Sequence, residues 1–304
     1  MLTATFLGTG AATPTVDRNV AGLAVQREGE TLLFDCGEGN QRQMMRYGVG
    51  FSFTEIFFSH YHADHILGVT GLLRTMGLQD RSAPVTLFGP RGAQRILGAV
   101  ISLGIERNKF PVEISEVRPG DRLSRDEYDI VVFETEHRPD TVGYALAEHT
   151  RLGRFNPDRA HELGVPEGPL WGRLHKGETI ILEDGRRIAP ADLVGSPRRG
   201  RILVYSGDTR PSLSVVEAAR GADLLIHEAT FGSDELERAK ETGHSTAAEA
   251  ARVAVEAGVQ RLVLTHISPR YTRDAPELLA EARAVFPETV IARDGMVVDV
   301  PFPE

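Results

Sequence analysis

The amino-acid sequence predicts an α/β fold in which sheets lie between layers of helices. Strand-like apolar runs alternate with segments of helical periodicity, and two β-rich stretches occur along the chain. The composition agrees, because 41% hydrophobic and 25% charged residues in 304 are typical of a globular protein. It excludes a disordered chain, a collagen and a coiled coil.

The N-terminal half predicts short strands separated by Gly, Pro, Asn and Glu residues. Residues 65–76 carry apolar side chains near helical spacing, so a helix is expected there. Pro90 suits the first position of a second helix, whose apolar face comprises Ile96, Val100 and Leu103. The expected strands cover residues 2–7, 22–26, 31–34, 54–58, 85–88, 112–117, 130–134 and 142–147.

The composition changes over residues 151–201. This segment has ten basic and seven acidic residues, many glycines and prolines, and only short apolar runs. These features indicate a protruding arm rather than a layer of the core. An ordinary long surface insertion is the alternative interpretation.

Regular alternation returns after residue 201. Helices are expected over residues 212–219, 246–257 and 276–285. Strands are expected over residues 202–205, 223–226 and 262–265, around Val290, and over residues 297–300.

The net charge is −9 and the isoelectric point about 5.6, which excludes binding of polyanions by bulk positive charge. A contact with nucleic acid therefore needs a local basic patch, and the arm, with a net charge of +3, is the candidate. The single cysteine cannot form an internal disulfide, and the first residues show no signal-peptide pattern. We expect a cytoplasmic protein with no membrane partner.

The segment from Ser59 to His65 carries the strongest chemical signal. His60, His62 and His65 stand with Asp64 directly after an apolar strand. Side chains two apart in an extended segment point the same way, so His60 and His62 can face one site. Imidazole nitrogens and carboxylate oxygens are ligands for Zn²⁺, and Mn²⁺ or Co²⁺ could also fit.

Further ligands are expected at distant strand ends. His137, Asp208 and His266 each follow an apolar strand-like run, where α/β enzymes place their sites. The two oxygens of Asp208 can bridge two cations. Two-metal sites activate water and clamp phosphoryl groups, so the pattern indicates hydrolysis.

Two more groups suit proton transfer. Glu228 closes a strand, and His244 precedes a helix whose N-cap is expected to be Ser245. A carboxylate that hydrogen-bonds an imidazole raises its basicity, so Glu228 and His244 could act as a pair. A capping loop and a buried structural histidine are the alternative.

Three other features have weaker interpretations. Gly8-Thr9-Gly10 follows a strand, but Pro14 and polar residues replace the helix of a dinucleotide-binding loop, so that function is rejected. Cys36 is expected to be buried and inert. Arg270 and Tyr271 could hold a phosphate or a base, or belong to a solvated loop.

The histidine-rich segment is the HxHxDH motif of the metallo-β-lactamase superfamily, and the wider pattern resembles the short form of ribonuclease Z (tRNase Z). HxHxDH fixes only the superfamily, whereas the HEAT, HST and Gly-Pro elements are more specific. The matching strings are FLGTG, DCGEG, SHYHADHILG, GRFN, YSGDTRP, HEATF, GHST and LTHISPRY.

The resemblance implies an αββα sandwich and a zinc-dependent endoribonuclease that removes the 3′ trailer from precursor tRNA. A metal-bound hydroxide would attack the phosphodiester, leaving a 3′-hydroxyl on the tRNA and a 5′-phosphate on the trailer. The resemblance also implies two Zn²⁺ per subunit. One would be held by His60, His62 and His137, and the other by Asp64, His65 and His266, with Asp208 bridging.

The resemblance further assigns roles to neighbouring groups. Asp64 would help to position or deprotonate the attacking water, and Glu228 with His244 would stabilise charge or deliver a proton to the leaving 3′ oxygen. Arg18 and Asn19 match the family's PxKxRN motif, in which Val16 stands here where lysine is frequent, and they are expected to contact substrate.

The resemblance makes the arm, residues 153–197, an inserted flexible exosite in an otherwise single domain of residues 1–304. The exosite would bind the tRNA elbow, and its Gly-Pro element comprises Gly164, Pro166, Gly168 and Pro169. Because one subunit's arm serves the other subunit's active site in this family, a homodimer is implied.

Two alternative functions stay open at this point. One is a small-molecule metallo-hydrolase of the same superfamily, acting as a phosphodiesterase, thioesterase or lactonase. The other is an RNA-binding protein whose metals are structural. A basic arm disfavours the first, and an acid with a His-Glu pair beside the metals disfavours the second.

Overall fold

The computed structural model describes residues 1–105, 107–138, 140–271 and 273–303. Two seven-stranded mixed sheets pack face to face, and helices cover the outer face of each. The predicted αββα sandwich is therefore confirmed.

The first sheet has the order β16-β1-β2-β3-β4-β5-β6. Its strands are β1 (Leu2–Gly8), β2 (Gly22–Arg27), β3 (Glu30–Phe34), β4 (Glu55–Phe57), β5 (Val85–Gly89), β6 (Val112–Glu116) and β16 (Val297–Asp299). Pairing is antiparallel from β16 to β3 and parallel from β3 to β6.

The second sheet has the order β15-β14-β13-β12-β9-β8-β7. Its strands are β7 (Arg122–Ser124), β8 (Tyr128–Glu134), β9 (Val142–Glu148), β12 (Ile202–Tyr205), β13 (Leu224–Glu228), β14 (Leu262–Thr265) and β15 (Thr289–Ile291). The strands from β12 to β15 are parallel, so their carboxyl ends lie at one edge.

Helices cover both outer faces. On the first sheet they are α1 (Asn40–Arg46), α2 (Ala63–Ile66), α3 (Gly68–Leu78) and α4 (Ala93–Ile101); on the second they are α7 (Leu213–Ala218), α9 (Ala247–Ala257) and α10 (Pro276–Val285). A short helix, α8 (Leu236–Thr242), precedes α9.

The two-residue period of the strands separates three apolar layers. In β2, Leu23 and Val25 belong to the core between the sheets, whereas Ala24 belongs to the core under α3 and α4. In β12, Leu203 and Tyr205 face the first sheet while Val204 faces α7 and α9. These two strands are thus buried on both faces.

The predicted helix over residues 65–76 is divided in the structure. It consists of α2 and α3, which meet at Leu67. Periodicity alone does not reveal this division, because both short helices bury residues in the same core. Leu103 lies beyond the end of α4 and is exposed, so its assignment to that helix face was wrong.

The predicted N-cap of α9 was also wrong by one residue. Thr246 caps the helix: its Oγ1 accepts a hydrogen bond from the Glu249 N–H, and the Glu249 carboxylate accepts one from the Thr246 N–H. Ser245 instead donates its hydroxyl to the Thr209 carbonyl. Helices α1 and α8 and strand β7 were not predicted, because each is short and partly polar.

Residues Glu148–Arg201 form a second compact unit together with the C-terminal residues from Phe302. It contains α5 (Pro157–Glu162), α6 (Pro169–His175) and a hairpin of β10 (Ile180–Ile181) and β11 (Arg187–Ile188). Its own small core comprises Ala160, Val165, Leu174, Ile180, Ile188 and Leu193. The segment that sequence assigned to an arm therefore has a core of its own.

A buried ion pair and contacts of two arginines with an aromatic ring stabilise this second unit. The Arg201 guanidinium donates two hydrogen bonds to the carboxylate of Glu148, at 2.8 and 2.6 Å. The Phe302 ring lies 3.4 Å from the guanidinium carbon of Arg151 and 3.8 Å from that of Arg201. None of the helices in the described ranges has the length and hydropathy that crossing a bilayer requires.

The intersheet core predicts a large stability difference between two leucines. Leu203 is 1% exposed and Leu213 is 77% exposed. Leu203→Ala should lower the free energy of unfolding by about 2–5 kcal/mol, because it leaves a cavity between the sheets. Leu213→Ala, the matched control, should change it by less than about 0.5 kcal/mol. Urea titration followed by circular dichroism measures both, and equal shifts would contradict the packing described.

Candidate metal centre

Loops at the edge of the sandwich bring all seven predicted ligands together. They come from both sheets: His60 and His62 follow β4, Asp64 and His65 lie in α2, His137 follows β8, Asp208 follows β12 and His266 follows β14. Within two groups, one nitrogen or oxygen per residue lies within 4.8 Å of the others: His60, His62, His137 and Asp208; and Asp64, His65 and His266.

The carboxylate of Asp208 lies at the centre. Its Oδ2 is 3.4 Å from Nε2 of both His65 and His266, and 3.6 Å from Nε2 of His60. Nε2 of His137 is 4.0 Å away. One buried oxygen therefore faces four ring nitrogens, two from each group.

Hydrogen bonds fix the tautomers of His65 and His266. Nδ1 of His65 lies 2.8 Å from Oδ2 of Asp35, a carboxylate that can only accept. Nδ1 of His266 lies 2.9 Å from the Thr230 hydroxyl, which donates its own proton to Glu228. Both Nδ1 atoms must donate, so both neutral rings present an Nε2 lone pair to the site.

The same argument applies to His60 and His137. Nδ1 of His60 lies 3.0 Å from the Ser59 hydroxyl, whose proton goes to Asp35. Nδ1 of His137 lies 2.7 Å from the Gly243 carbonyl. Their Nε2 atoms are thus acceptors as well, and Nε2 of His60 is buried without a hydrogen-bond partner in the described ranges.

This arrangement fits a divalent cation. Nε2 of His65 lies 3.3 Å from Nε2 of His266, and Nε2 of His137 lies 3.2 Å from Nδ1 of His62. In the first pair both nitrogens present lone pairs, which repel at this distance unless a proton or a metal ion neutralises them. Neutral imidazoles whose second nitrogen donates to an oxygen are the ordinary form of histidine ligands.

The ionisation states agree with this interpretation. Burial, reinforced by the charge of His65, holds the pKa of His60 well below its ordinary value. Burial acts to raise the pKa of Asp208, but the neighbouring His266 and His65 rings hold it well below its usual range. Burial also acts to lower the pKa of His65, yet the carboxylates of Asp208 and Asp35 raise it well above normal. A cation bound here would displace that proton.

Close backbone contact positions Asp64 and His65. The His65 carbonyl accepts from the Cys36 N–H, and the Gly68 N–H donates to the Cys36 carbonyl. A Cβ at Gly37 would lie 2.1 Å from the Asp64 carbonyl oxygen, and one at Gly68 would lie 1.9 Å from the Gly37 carbonyl oxygen. Only glycine allows the loop after β3 to approach α2 this closely.

Glu228 and His244 form the predicted pair beside the ligands. Nδ1 of His244 lies 2.7 Å from Oε1 of Glu228, which also accepts from the Thr209 N–H. Burial acts to lower the pKa of His244, but the Glu228 carboxylate raises it to about 9. The ring is therefore a potential proton donor. It also lies 4.0 Å from Asp208, which makes it a possible ligand by distance.

The ligands open into a cavity of about 530 Å³. One wall carries His244 and Phe231, whose rings lie 6.2 Å apart. Arg238 and Arg270 are both 5.9 Å from the Phe231 ring centre and belong to the same wall. The lining also includes Ala12, whose N–H donates to the Asp64 carboxylate.

The expectation that Arg18 contacts substrate conflicts with its environment. Its side chain is 4% exposed and donates to Thr9 Oγ1 and to the carbonyls of Ala292 and Arg273. The guanidinium thus holds loops together inside the protein. Asn19 is half-buried, and its amide nitrogen donates to the carbonyl of Val20 and, at 3.5 Å, to Asn40 Oδ1.

The remaining candidates have mixed environments. Arg270 is exposed at the cavity but forms an ion pair with Glu235 Oε1 at 2.5 Å. The Tyr271 hydroxyl accepts from the Gly232 N–H, which gives it a structural role. Cys36 is fully buried, and burial raises the pKa of its thiol, as expected of an inert residue.

The four Gly-Pro candidates lie in the second unit between α5 and α6. Gly164 and Gly168 have φ of 72° and 128°, and Pro169 is the first residue of α6. Like Pro166, all are exposed. None of these four residues has a charged side chain.

Sequence reasoning missed the residues that orient the ligands. Asp35 is buried and accepts from the Ser59 N–H, the Ser59 and Tyr205 hydroxyls and His65. Thr230 connects His266 to Glu228. The available signal was a carboxylate directly after an apolar strand in DCGEG, and a hydroxyl two residues after Glu228 in HEAT.

Comparison with known proteins extends this description. Two family models match: the Anti-Pycsar protein Apyc1 model over residues 2–154 and the Beta-lactamase superfamily domain model over residues 193–267. The first model ends before Asp208, His244 and His266.

The chain is similar to full-length proteins named Ribonuclease Z. It is 58% identical to the one of Gemmatimonas aurantiaca, covering 98% of this chain and 96% of the relative, and 54% identical to the one of Myxococcus xanthus, covering 99% and 98%. The solved structure of human tRNase Z, short form, superposes with a TM-score of 0.71 at 28% identity, covering 99% of this chain and 100% of that one. The chain belongs to the ribonuclease Z family.

Proposed function

We propose that this protein is a metal-dependent endoribonuclease that removes the 3′ trailer from precursor tRNA. The observation that carries the proposal is the convergence of seven metal-ligand side chains in a chain that aligns end to end with proteins named Ribonuclease Z. Cleavage would leave a 3′-hydroxyl on the tRNA and a 5′-phosphate on the trailer.

The residues present would hold two divalent cations, and zinc suits the five imidazoles. His60, His62 and His137 would bind one, Asp64, His65 and His266 the other, and Asp208 both; Mn²⁺ and Co²⁺ accept the same donors. When bound, such a pair lowers the pKa of water and neutralises charge on a phosphoryl group.

Side chains of the protein itself would then accept and donate the protons of the reaction. Asp64 has one carboxylate oxygen fixed by the Ala12 N–H, which leaves the group oriented to accept a proton from water. His244, held protonated by Glu228, would donate its proton to the leaving 3′ oxygen. Asp35 and Thr230 hold the His65 and His266 rings in place.

Residues 151–201, which make up most of the second unit, are net basic, whereas the rest of the chain is net acidic. Residues 151–201 carry a net charge of +3 in a chain of −9. We assign residues 153–197 as the exosite for the tRNA elbow, with Gly164, Pro166, Gly168 and Pro169 at its tip. A homodimer, in which one subunit's exosite serves the other, and a cytoplasmic location are part of this proposal.

The two alternatives have less support. A hydrolase of small esters, thioesters or lactones does not need a basic unit with its own core. A structural metal site is closed by protein ligands, whereas these ligands line an open cavity beside a His-Glu pair.

The first prediction concerns metal dependence. The purified protein should cut a 3′-extended tRNA precursor after the acceptor end, and a chelator should abolish cutting. His65→Ala should lower activity by at least about a hundredfold, because one cation loses a ligand held by Asp35. Arg220→Ala, which changes an exposed residue outside the cavity above the ligands, is the control. Metal content by elemental analysis accompanies each assay, and full activity of a metal-free preparation would contradict the proposal.

The second prediction concerns His244. His244→Ala should slow cleavage of the precursor by about a hundredfold or more, since the 3′ oxygen then leaves unprotonated. Hydrolysis of bis(p-nitrophenyl) phosphate should decrease much less, because nitrophenolate departs without a proton. Metal content should stay unchanged. Equal losses on both substrates, or loss of metal, would instead make His244 a ligand.

The third prediction concerns the second unit. Gly153 and Gly195 are in backbone contact, so a short Gly-Ser linker can replace residues 154–194. The shortened protein should bind precursor tRNA at least about tenfold more weakly, because phosphate contacts are lost. It should hydrolyse bis(p-nitrophenyl) phosphate at the rate of the intact protein. Equal loss of both activities would reject the exosite.

A further inference from the structure

A second cavity, of about 650 Å³, adjoins the metal centre. Its walls come from the loops after β5, β6 and β8, and they include Arg91, Arg118 and Thr135. Arg138, the residue after the candidate ligand His137, lines both this cavity and the one above the metal centre. An RNA chain that crosses the metal centre can therefore continue past Arg138 into the second cavity.

The cavity lining carries charges of both signs, and its arginine guanidinium groups are available to donate hydrogen bonds to a ligand. Arg91, Arg118 and Arg138 are exposed, and none of their guanidinium groups has a hydrogen-bond or ion-pair partner among the described residues. Three acids, Glu116, Glu134 and Asp140, share the walls. Glu116 is engaged, because its Oε1 accepts from the Gly92 N–H at 2.8 Å.

One buried group of the lining also lacks a partner. Thr135 is 6% exposed, and its hydroxyl makes no hydrogen bond within the described ranges. A buried hydroxyl left in this state is unfavourable. Its oxygen has almost no accessible surface, so rotation of the Thr135 side chain would give it a polar partner on a ligand in the cavity. Guanidinium groups suit phosphate, while carboxylates and a hydroxyl suit ribose hydroxyls and base amino groups. Together they match a nucleotide rather than an inorganic anion.

The position of His244 indicates which part of the RNA would occupy the second cavity. His244 lies beside Phe231, Arg238 and Arg270, so the tRNA 3′ end, which bears the leaving oxygen, belongs to that wall. The trailer keeps the phosphate and must leave the metal centre by another route. Arg138 and the second cavity provide that route.

We propose that the cavity lined by Arg91, Arg118, Thr135 and Arg138 binds the first nucleotides of the 3′ trailer. This inference rests on the proposed function of the metal centre. It makes the enzyme sensitive to trailer length, and it gives the 5′-phosphorylated trailer a place to remain after cleavage.

The test uses the double variant Arg91→Ala/Arg118→Ala of the full-length protein. With a precursor whose trailer has about ten nucleotides, KM should rise about tenfold or more, as expected for two lost charge-assisted contacts. With a single-nucleotide trailer, and with bis(p-nitrophenyl) phosphate, the rates should match those of the parent protein. A fluorescent 5′-phosphorylated oligoribonucleotide of trailer sequence should bind the variant about tenfold more weakly, measured by anisotropy.

Arg220→Ala is the matched control, because Arg220 is exposed and lies outside the cavity. Circular dichroism melting confirms that the variants fold. If the double variant treats long and short trailers as the parent does, or loses activity on both alike, the trailer site is wrong. If the parent protein cleaves no precursor, the proposed function itself fails, and the two failures are thereby distinguished.

Discussion

The buried carboxylate of Asp35 is the constraint on which the metal centre depends. It accepts hydrogen bonds from Ser59 in the first sheet's loop, from Tyr205 at the end of β12 in the second sheet, and from His65. One group thus joins both sheets and sets the tautomer of a ligand. Through the Ser59 hydroxyl it also sets the tautomer of His60. A carboxylate that binds no metal itself therefore determines how two ligands present their lone pairs.

Electrostatics explains why the ring nitrogens directed at Asp208 favour the binding of cations. Two bare lone pairs 3.3 Å apart would repel, so a proton or a cation must lie between the Nε2 atoms of His65 and His266, which packing and hydrogen bonds to Asp35 and Thr230 hold in place. His266 and Asp35 also have positive φ values of 57° and 54°, a conformation that is unusual for residues other than glycine. The site is therefore preorganised for cations, which relieve the repulsion that the protein alone imposes.

The charge distribution separates the candidate metal centre from the net basic segment. The candidate metal centre and the His-Glu pair lie in the sandwich, whereas the net positive charge of residues 151–201 lies in the second unit, which has its own core and its own buried ion pair. Around the metal centre, positive charge comes from individual arginine side chains rather than from a segment with a net positive charge.

The sequence by itself determined the layered α/β fold and predicted the seven residues that converge at its edge, because strand periodicity and strand-end positions are local properties that survive folding. It also indicated the Glu228–His244 pair. It did not determine that Arg18 is buried, that Thr246 rather than Ser245 caps α9, or that α2 and α3 are separate helices. Those outcomes, like the contacts of Asp35 and Thr230 and the cavity beside Arg138, depend on which distant segments pack together, and only the tertiary structure decides that.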